Sequence, residues 1–434
     1  MIYVYNFLQA VLLIITFPLL LLIGLGREKY RSRLADRLGI GLEKKIAGLN
    51  RNDKKIIWIH CLSVGEVTSA LPLVKGIREN MDGVGVVFSA STSTGMKIAL
   101  QNIKPHVDLV VASPLDLLPV VKKFVRILRP DMFVLVETDF WPNWLHTLRI
   151  NNIPLALVNG RISSSSFARY RRFGFFFLPL FESFSLLSMQ TENDAAQLRQ
   201  LGVPAKRIKT LGNLKYDTKL FTDIDRGKKL AAADLRIPPR SRTWVCGSTH
   251  PGEEQMIITA FADLLKDHED IFLILAPRDP GRSGEIYKLI TEKGLQAMRR
   301  TCPADPPAPI LILDTIGELA DCYRFARVAF IGGSLVDLGG HNPLEAAAYS
   351  IPVLFGPHMD DFLEIAGDLI ECGGAITVES AAKLEEAVRR ILGDMTVHNH
   401  MSQAAGSLVG RNSGVVGRHI HELNALLHDG SGAA

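Results

Sequence analysis

The sequence predicts an α/β protein built from two Rossmann-like domains with an apolar segment ahead of them. Three observations carry that prediction. At 434 residues the chain is too long for one ordinary core. Short apolar runs, each followed by a glycine- or hydroxyl-rich loop and then by helical spacing, recur through both halves. Phe7 to Leu25 is almost continuously apolar. Composition narrows the function classes: charged residues make up 22% and the formal net charge is +4, so charge alone does not point to nucleic acid. The five cysteines show no CxxC spacing and stand mostly beside apolar residues, which is the pattern of reduced thiols in a cytosolic setting.

Met1 to Gly26 carries no charged side chain, and Arg27, Lys29, Arg31 and Arg33 follow the apolar run instead of preceding it. A cleaved leader shows the opposite order, so residues 1–33 read as an N-terminal membrane anchor with a basic flank. The positive-inside rule then puts the body of the protein on the cytoplasmic face. Pro18 in mid-span, with Gln9 and Thr16 nearby, fits a bent helix lying in one leaflet as well as a crossing one.

Residues 34–217 read as the first domain. Its first strand, Ile56 to His60, runs into Cys61-Leu62-Ser63-Val64-Gly65-Glu66-Val67, and helical spacing continues to Ile77. Glu66 therefore stands at the carboxyl end of a strand, where ligands gather in open α/β sheets. Taken alone it is equally a first-turn acid facing the helix dipole. The strand Val84 to Phe88 opens onto the hydroxyl-rich Ser89 to Gly95, either an anion-binding turn or a set of N-caps. Asp131 to Val136 leads to Glu137-Thr138-Asp139-Phe140-Trp141-Pro142-Asn143, two acids and a Trp-Pro at a strand end. After the strand Ile153 to Val158 come Asn159-Gly160-Arg161-Ile162-Ser163 and then Phe167 to Phe177, where arginines adjoin aromatics. That run suits a membrane face gripping anionic headgroups, or a core helix whose arginines snorkel outward. Ile208 to Asp217 closes the domain with Lys215, a charge able to offset a departing phosphate or simply a surface lysine. Thr218 to Arg242 reads as a polar hinge.

Residues 218–434 read as the second domain, with strands at Thr243 to Gly247, Ile271 to Ala276, Ile310 to Asp314, Val328 to Gly332 and Pro352 to Phe355, and with last helices that could cross back to the first. Four loops converge on the carboxyl edge of this sheet: Gly247 to Glu254, Ala276-Pro277-Arg278, Asp314 to Leu319, and Gly332 to Glu345. No GxGxxG follows a strand, which counts against a dinucleotide dehydrogenase. In the last loop Pro343 suits a first helical turn, whose N–H groups would attract a phosphate, and Glu345 would accept from ribose hydroxyls. Arg278 offers a fixed cation for a phosphate or carboxylate, or a surface salt bridge.

These motifs closely resemble one family. GGSLVDLGGHNPLEAAAYSIPVLFGPH, SVGE at Glu66, ETDFWPN, NGRIS and LGNLKYD match the Kdo transferases, GT-B glycosyltransferases that move 3-deoxy-D-manno-octulosonic acid (Kdo) from CMP-Kdo to lipid A precursor. The resemblance implies a GT-B fold whose two domains face a cleft, with an acceptor domain at 34–217 and a CMP-Kdo domain at 218–434. It implies that Glu66 is the general base and that Glu137 assists the transition state, while Asp139 replaces a glutamate of the family pattern. Pro277-Arg278, Gly317-Glu318-Leu319 and Asn342-Pro343-Leu344-Glu345 are the segments that bind CMP in such enzymes. The expected activity is inverting, metal-independent transfer to lipid IVA at the cytoplasmic face of the inner membrane, with CMP-Kdo, lipid IVA and membrane lipids as partners and no nucleic acid. The alternatives are a GT-B enzyme using another sugar nucleotide, such as an epimerase, and an idle lipid-binding scaffold.

Overall fold

The computed structural model describes residues 2–26, 34–49, 54–137, 140–217 and 230–429. The chain divides into two compact units, Met1–Asp217 together with Gly414–Ala434, and Thr218–Ser413. Asp139, the basic flank Arg27 to Arg33, residues 218–229 of the expected hinge and the last five residues lie outside the described residues.

In the first unit β1 (Lys55–Cys61), β2 (Val84–Ala90), β3 (Leu109–Ala112), β4 (Met132–Val136), β5 (Leu155–Gly160), β6 (Leu186–Met189) and β7 (Ile208–Thr210) lie in the order 3-2-1-4-5-6-7. Every pairing is parallel. Helices on both faces require strands that are apolar on both faces, and the alternation shows it. Ile56, Trp58, Phe133, Leu135 and Leu157 pack into one core. Ile57, Ile59, Val134, Val136 and Val158 pack into the other. The chain direction of the winding reverses between β1 and β4, and the carboxyl ends of such a strand pair open a crevice.

The second unit repeats the plan with β8 (Arg242–Thr249), β9 (Ile271–Pro277), β10 (Ala297–Arg299), β11 (Ile310–Ile312), β12 (Ala326–Ile331), β13 (Val353–Phe355) and β14 (Ala375–Thr377), in the order 10-11-9-8-12-13-14. All of these pairings are parallel as well. Here the reversal falls between β8 and β12. Trp244, Cys246, Leu273, Leu275 and Phe330 centre the core under it.

The last helix, Val415–Asp429, belongs to the first unit, so the second unit ends at Ser413 and not at the C terminus. Asp217 accepts from the Val416 N–H at 2.7 Å, and Arg418 donates to the Leu211 carbonyl. His419 donates from Nδ1 to the Val415 carbonyl at 2.8 Å, which leaves Nε2 to accept from the Ser188 hydroxyl at 2.8 Å. Gly76 leaves room for this helix: a Cβ there would meet Val416 Cγ1 at 2.5 Å.

The apolar N terminus forms a helix, Ile2–Gly26. Its side chains are described to Thr16, and among the described residues no helix is long and apolar enough to cross a membrane. The expected anchor is corrected in one respect. Tyr5, Asn6 and Gln9 are hydrogen-bonded to the first unit, so the start of the helix lies against protein. The aromatic–basic run divides between its two readings: Tyr170 is buried against Phe177 and the following Phe181, whereas Phe175 is 80% exposed.

Candidate active site

In the first unit the two strands flanking the reversal each end in a predicted acid. Glu66 lies in the first turn of the Val64–Asn80 helix behind the N-cap Ser63. Its carboxylate accepts from the Leu62 N–H and from the Ser63 hydroxyl at 3.2 Å. It is the first-turn acid that the bare sequence allowed, and these bonds also fix the carboxylate's direction. Glu137 follows β4 at φ 61°, a left-handed conformation that is strained for a residue with a Cβ, and its N–H is held by the Val158 carbonyl at 2.9 Å. Burial raises its pKa above the ordinary carboxylate range, against the pull of Lys215, Arg161 and a hydrogen bond from Asn159.

These groups form one cluster. The buried Cys61 thiol has its pKa pushed well up, first by desolvation and then by both Glu66 and Glu137, so the two acids bear on the same point. Asn159 connects Glu137 to the turn that holds Lys215: its amide reaches Glu137 Oε1 at 3.5 Å, and its carbonyl oxygen accepts from the Leu214 N–H at 2.9 Å. The geometry brings Glu66, Glu137 and Lys215 to one edge of one sheet. The sequence quoted Asn159 and Arg161 only as part of a motif, and here they surround Glu137.

A cavity of about 1080 Å³ in this unit lies elsewhere. It is lined by Lys122, Lys123, Arg126, Arg129 and Asp131 among others, and Asp131 opens the strand end opposite to the acids.

In the second unit all the predicted donor segments also lie at the carboxyl strand edge, but two expectations change. The Gly332–Leu335 loop does not offer free amides. Fully buried Glu253 accepts from Gly333 N at 2.8 Å, Ser334 N at 3.0 Å, Leu335 N at 2.9 Å and His250 N at 2.9 Å. The carboxylate occupies the nest that a phosphate would otherwise find. The helix after Pro343 is a single turn, Leu344–Ala347, and Asn342 already accepts from the Leu344 N–H at 3.1 Å, so little dipole remains to hold an anion. Gly332 is required by a close approach: a Cβ there would lie 2.2 Å from the Ser248 carbonyl oxygen.

The cationic and polar groups at this edge are side chains. Arg278, exposed after Pro277 at the end of β9, makes no ion pair among the described residues, so the salt-bridge reading fails. It faces His250 and His341, whose rings stack with Nε2 atoms 2.9 Å apart, so one nitrogen donates and the other accepts. Burial, then Arg278 and His250, lowers the His341 pKa to about 4. Glu318 is committed to Arg300 through two bonds of 3.1 Å, which leaves the backbone of Gly317 and the side chain of Leu319 as that segment's contribution. Glu345 stands near enough to the buried Tyr323 to raise its pKa. Sequence reasoning missed Glu253, the histidine pair and Ile316, an apolar side chain 89% exposed at the loop tip and suited to lie against a base. Asp337, His358 and Asp360 bring ligand-type atoms within 4.8 Å of one another at the surface, an arrangement common without an ion.

Comparison with known proteins identifies the family. The family model "3-Deoxy-D-manno-octulosonic-acid transferase (kdotransferase)" matches residues 32–218. The chain is 31% identical to the 3-deoxy-D-manno-octulosonic acid transferase of Haemophilus influenzae, over 98% of this chain and 99% of the relative. It is 29% identical to that of Bordetella pertussis, over 86% and 87%. Among solved structures, the UDP-GlcNAc 2-epimerase from Neisseria meningitidis bound to UDP-GlcNAc superposes with a TM-score of 0.52 at 12% identity, covering 86% of this chain and all of that one, a likeness of fold alone. The protein is a glycosyltransferase with two parallel-sheet Rossmann-like domains. It belongs to the 3-deoxy-D-manno-octulosonic acid transferase family.

Proposed function

We propose that this chain moves Kdo from CMP-Kdo to lipid IVA with inversion at the anomeric carbon, in lipopolysaccharide core biosynthesis. The observation that carries the reading is the cluster of Glu66, Glu137 and Lys215 at one sheet edge in a chain whose whole length follows a Kdo transferase relative. Glu66 takes the proton from an acceptor hydroxyl as that oxygen bonds to the anomeric carbon, which is the work of a carboxylate held in a fixed direction. The bond from that carbon to phosphate breaks, and CMP leaves with the electron pair. Lys215 offsets the charge gathering on the phosphate, and Glu137 stabilises the oxocarbenium-like centre. The second unit holds the nucleotide through Pro277, Arg278, Gly317, Leu319 and the Asn342–Glu345 turn, with Glu318 held in place by Arg300.

The same reading attaches the protein to the cytoplasmic face of the inner membrane. Tyr3, Val4, Phe7, Leu8, Leu12, Ile14 and Ile15 are each at least 60% exposed, and Phe175 adds a second apolar prominence beside Arg171 and Arg172. Exposed apolar side chains of this number suit burial at a lipid interface. The decisive experiment incubates purified protein with CMP-Kdo and tetraacylated lipid A precursor and weighs the product. A mass gain of one or more Kdo residues is expected, and an unmodified acceptor alongside intact CMP-Kdo would overturn the reading.

A further inference from the structure

The polar residues of the N-terminal helix are few, and their placement is specific. Ile2, Tyr5, Asn6 and Gln9 are half-buried while Tyr3, Val4, Phe7, Leu8 and Ala10 are exposed, so the docked stripe runs i, i+3, i+4, i+7 along one face. Tyr5 donates to Asp116 Oδ2 at 2.8 Å. Asn6 and Asn143 exchange two amide hydrogen bonds, at 2.8 and 3.1 Å. Gln9 donates to the Asp116 carbonyl at 2.9 Å and accepts from Asn143 at 3.4 Å.

Asp116 and Asn143 hold the start of the helix that follows Glu137. The Asp116 carboxylate accepts from Asn143 N at 3.3 Å and Trp144 N at 3.1 Å, capping the Pro142–Ile150 helix that begins five residues after Glu137. The Asn143 side chain is fully buried and donates to the Asp116 carbonyl at 2.7 Å. The backbone is thus held at Glu137 by Val158 and at the start of the Pro142–Ile150 helix by a polar knot to which the N-terminal helix contributes. In surroundings this apolar, such bonds are strong and costly to lose.

We infer that Tyr5, Asn6 and Gln9 are positioning residues for the reaction, holding through Asp116 and Asn143 the start of the helix that follows Glu137, so that the N-terminal helix is a part of the catalytic domain as well as an attachment. The inference rests on the reading that Glu137 acts in transfer. Its chemistry is separate from the helix's apolar face, because the docked stripe and the exposed residues share no side chain.

The test uses the full chain in detergent with dispersed lipid acceptor. The double variant Asn6→Ala/Gln9→Ala should lower kcat about tenfold to a hundredfold, the scale on which a catalytic group set slightly askew costs rate, with KM for CMP-Kdo unchanged. Its association with anionic vesicles should stay at the level of the parent, since the apolar face is intact. Tyr5→Phe, which removes one hydroxyl and keeps the ring, should lower kcat by a smaller factor. An unchanged kcat in the double variant overturns the inference, as does a fall in kcat that appears only with vesicle-embedded acceptor and tracks lost vesicle binding. Glu137→Gln separates the two levels. If it keeps full activity the role of Glu137 fails, and if it is inactive while the double variant is normal, the helix's role alone fails.

Discussion

At the carboxyl edge of the first sheet, Glu66 is steered by two hydrogen bonds from its own helix start, and Glu137 is buried against Lys215 and Arg161. At the same edge of the second sheet the acids are consumed internally. Glu253 takes four backbone amides, Glu254 pairs with Arg282 at 2.9 Å, and Glu318 is tied to Arg300, while Arg278 is left without an acidic partner among the described residues. On the proposed function, two copies of one topology serve opposite ends. A sheet edge that must move protons needs carboxylates with free lone pairs, whereas an edge that must hold an anion needs its own carboxylates neutralised and a cation exposed.

The sharpest way to break this contrast is Glu66→Gln. The amide keeps the shape and can still accept from Leu62, but it cannot take a proton. Transfer should fall by about 10²–10⁴-fold with CMP-Kdo binding near normal, measured by single-turnover product formation beside donor titration. Retained turnover would remove Glu66 from the base role. Glu253→Ala probes the other side. It strips one carboxylate from four buried amides, and a loss of about 3–5 kcal/mol in the second unit's resistance to urea is expected. A change below about 1 kcal/mol would mean that the loop holds itself.

Arg278→Ala should be gentler and confined to binding. Loss of one charge-assisted contact to the donor corresponds to about 10- to 100-fold weaker CMP-Kdo affinity, with kcat little changed at saturation. Calorimetric titration distinguishes this from a kcat effect, which would move Arg278 from holding the donor to acting on the transition state.

How legible this contrast was in the sequence depended on distance along the chain. The long strands could be read because both faces of a central parallel strand must be apolar: Ile56 to His60, Asp131 to Val136 and Ile271 to Ala276 all fell where β1, β4 and β9 lie. β3, β6, β7, β10 and β14 were not anticipated, since three or four residues carry too little pattern to separate a strand from a loop. At the site, residues adjoining a strand end were legible from position alone. Glu253 was not, because its meaning comes from amides 80 to 82 positions away, and neither was the Asn6 contact with Asn143, 137 positions distant. Local periodicity says which face of an element is apolar but does not say which polar group will cross to another element.

The smallest expected effect concerns acid, and it sharpens the comparison by separating framework from site. In the first unit the perturbed histidines are structural: burial lowers the pKa of His60 to about 3 and that of His419 to about 4. Both are held neutral when folded, while the unfolded chain takes up their protons near the ordinary value of 6.5. Their contribution is therefore fully present above about pH 6.5 and is lost as pH falls toward 4, because the unfolded state binds more protons across that window. For His419 alone the loss is roughly 2 kcal/mol by pH 5. In the second unit the corresponding pair, His250 and His341, sits at the strand edge beside Arg278, where protonation breaks the bond between the rings yet adds positive charge facing a bound anion. Lowering the pH from 7 to 5 should thus weaken the first unit, read by hydrogen exchange at Val415–Asp429 and its partners, more than it weakens the hold on CMP. In His419→Gln, whose side chain does not titrate, that exchange should vary less with pH. Equal pH dependence in parent and variant would show that the Ser188–His419 contact does not govern how the last helix is held.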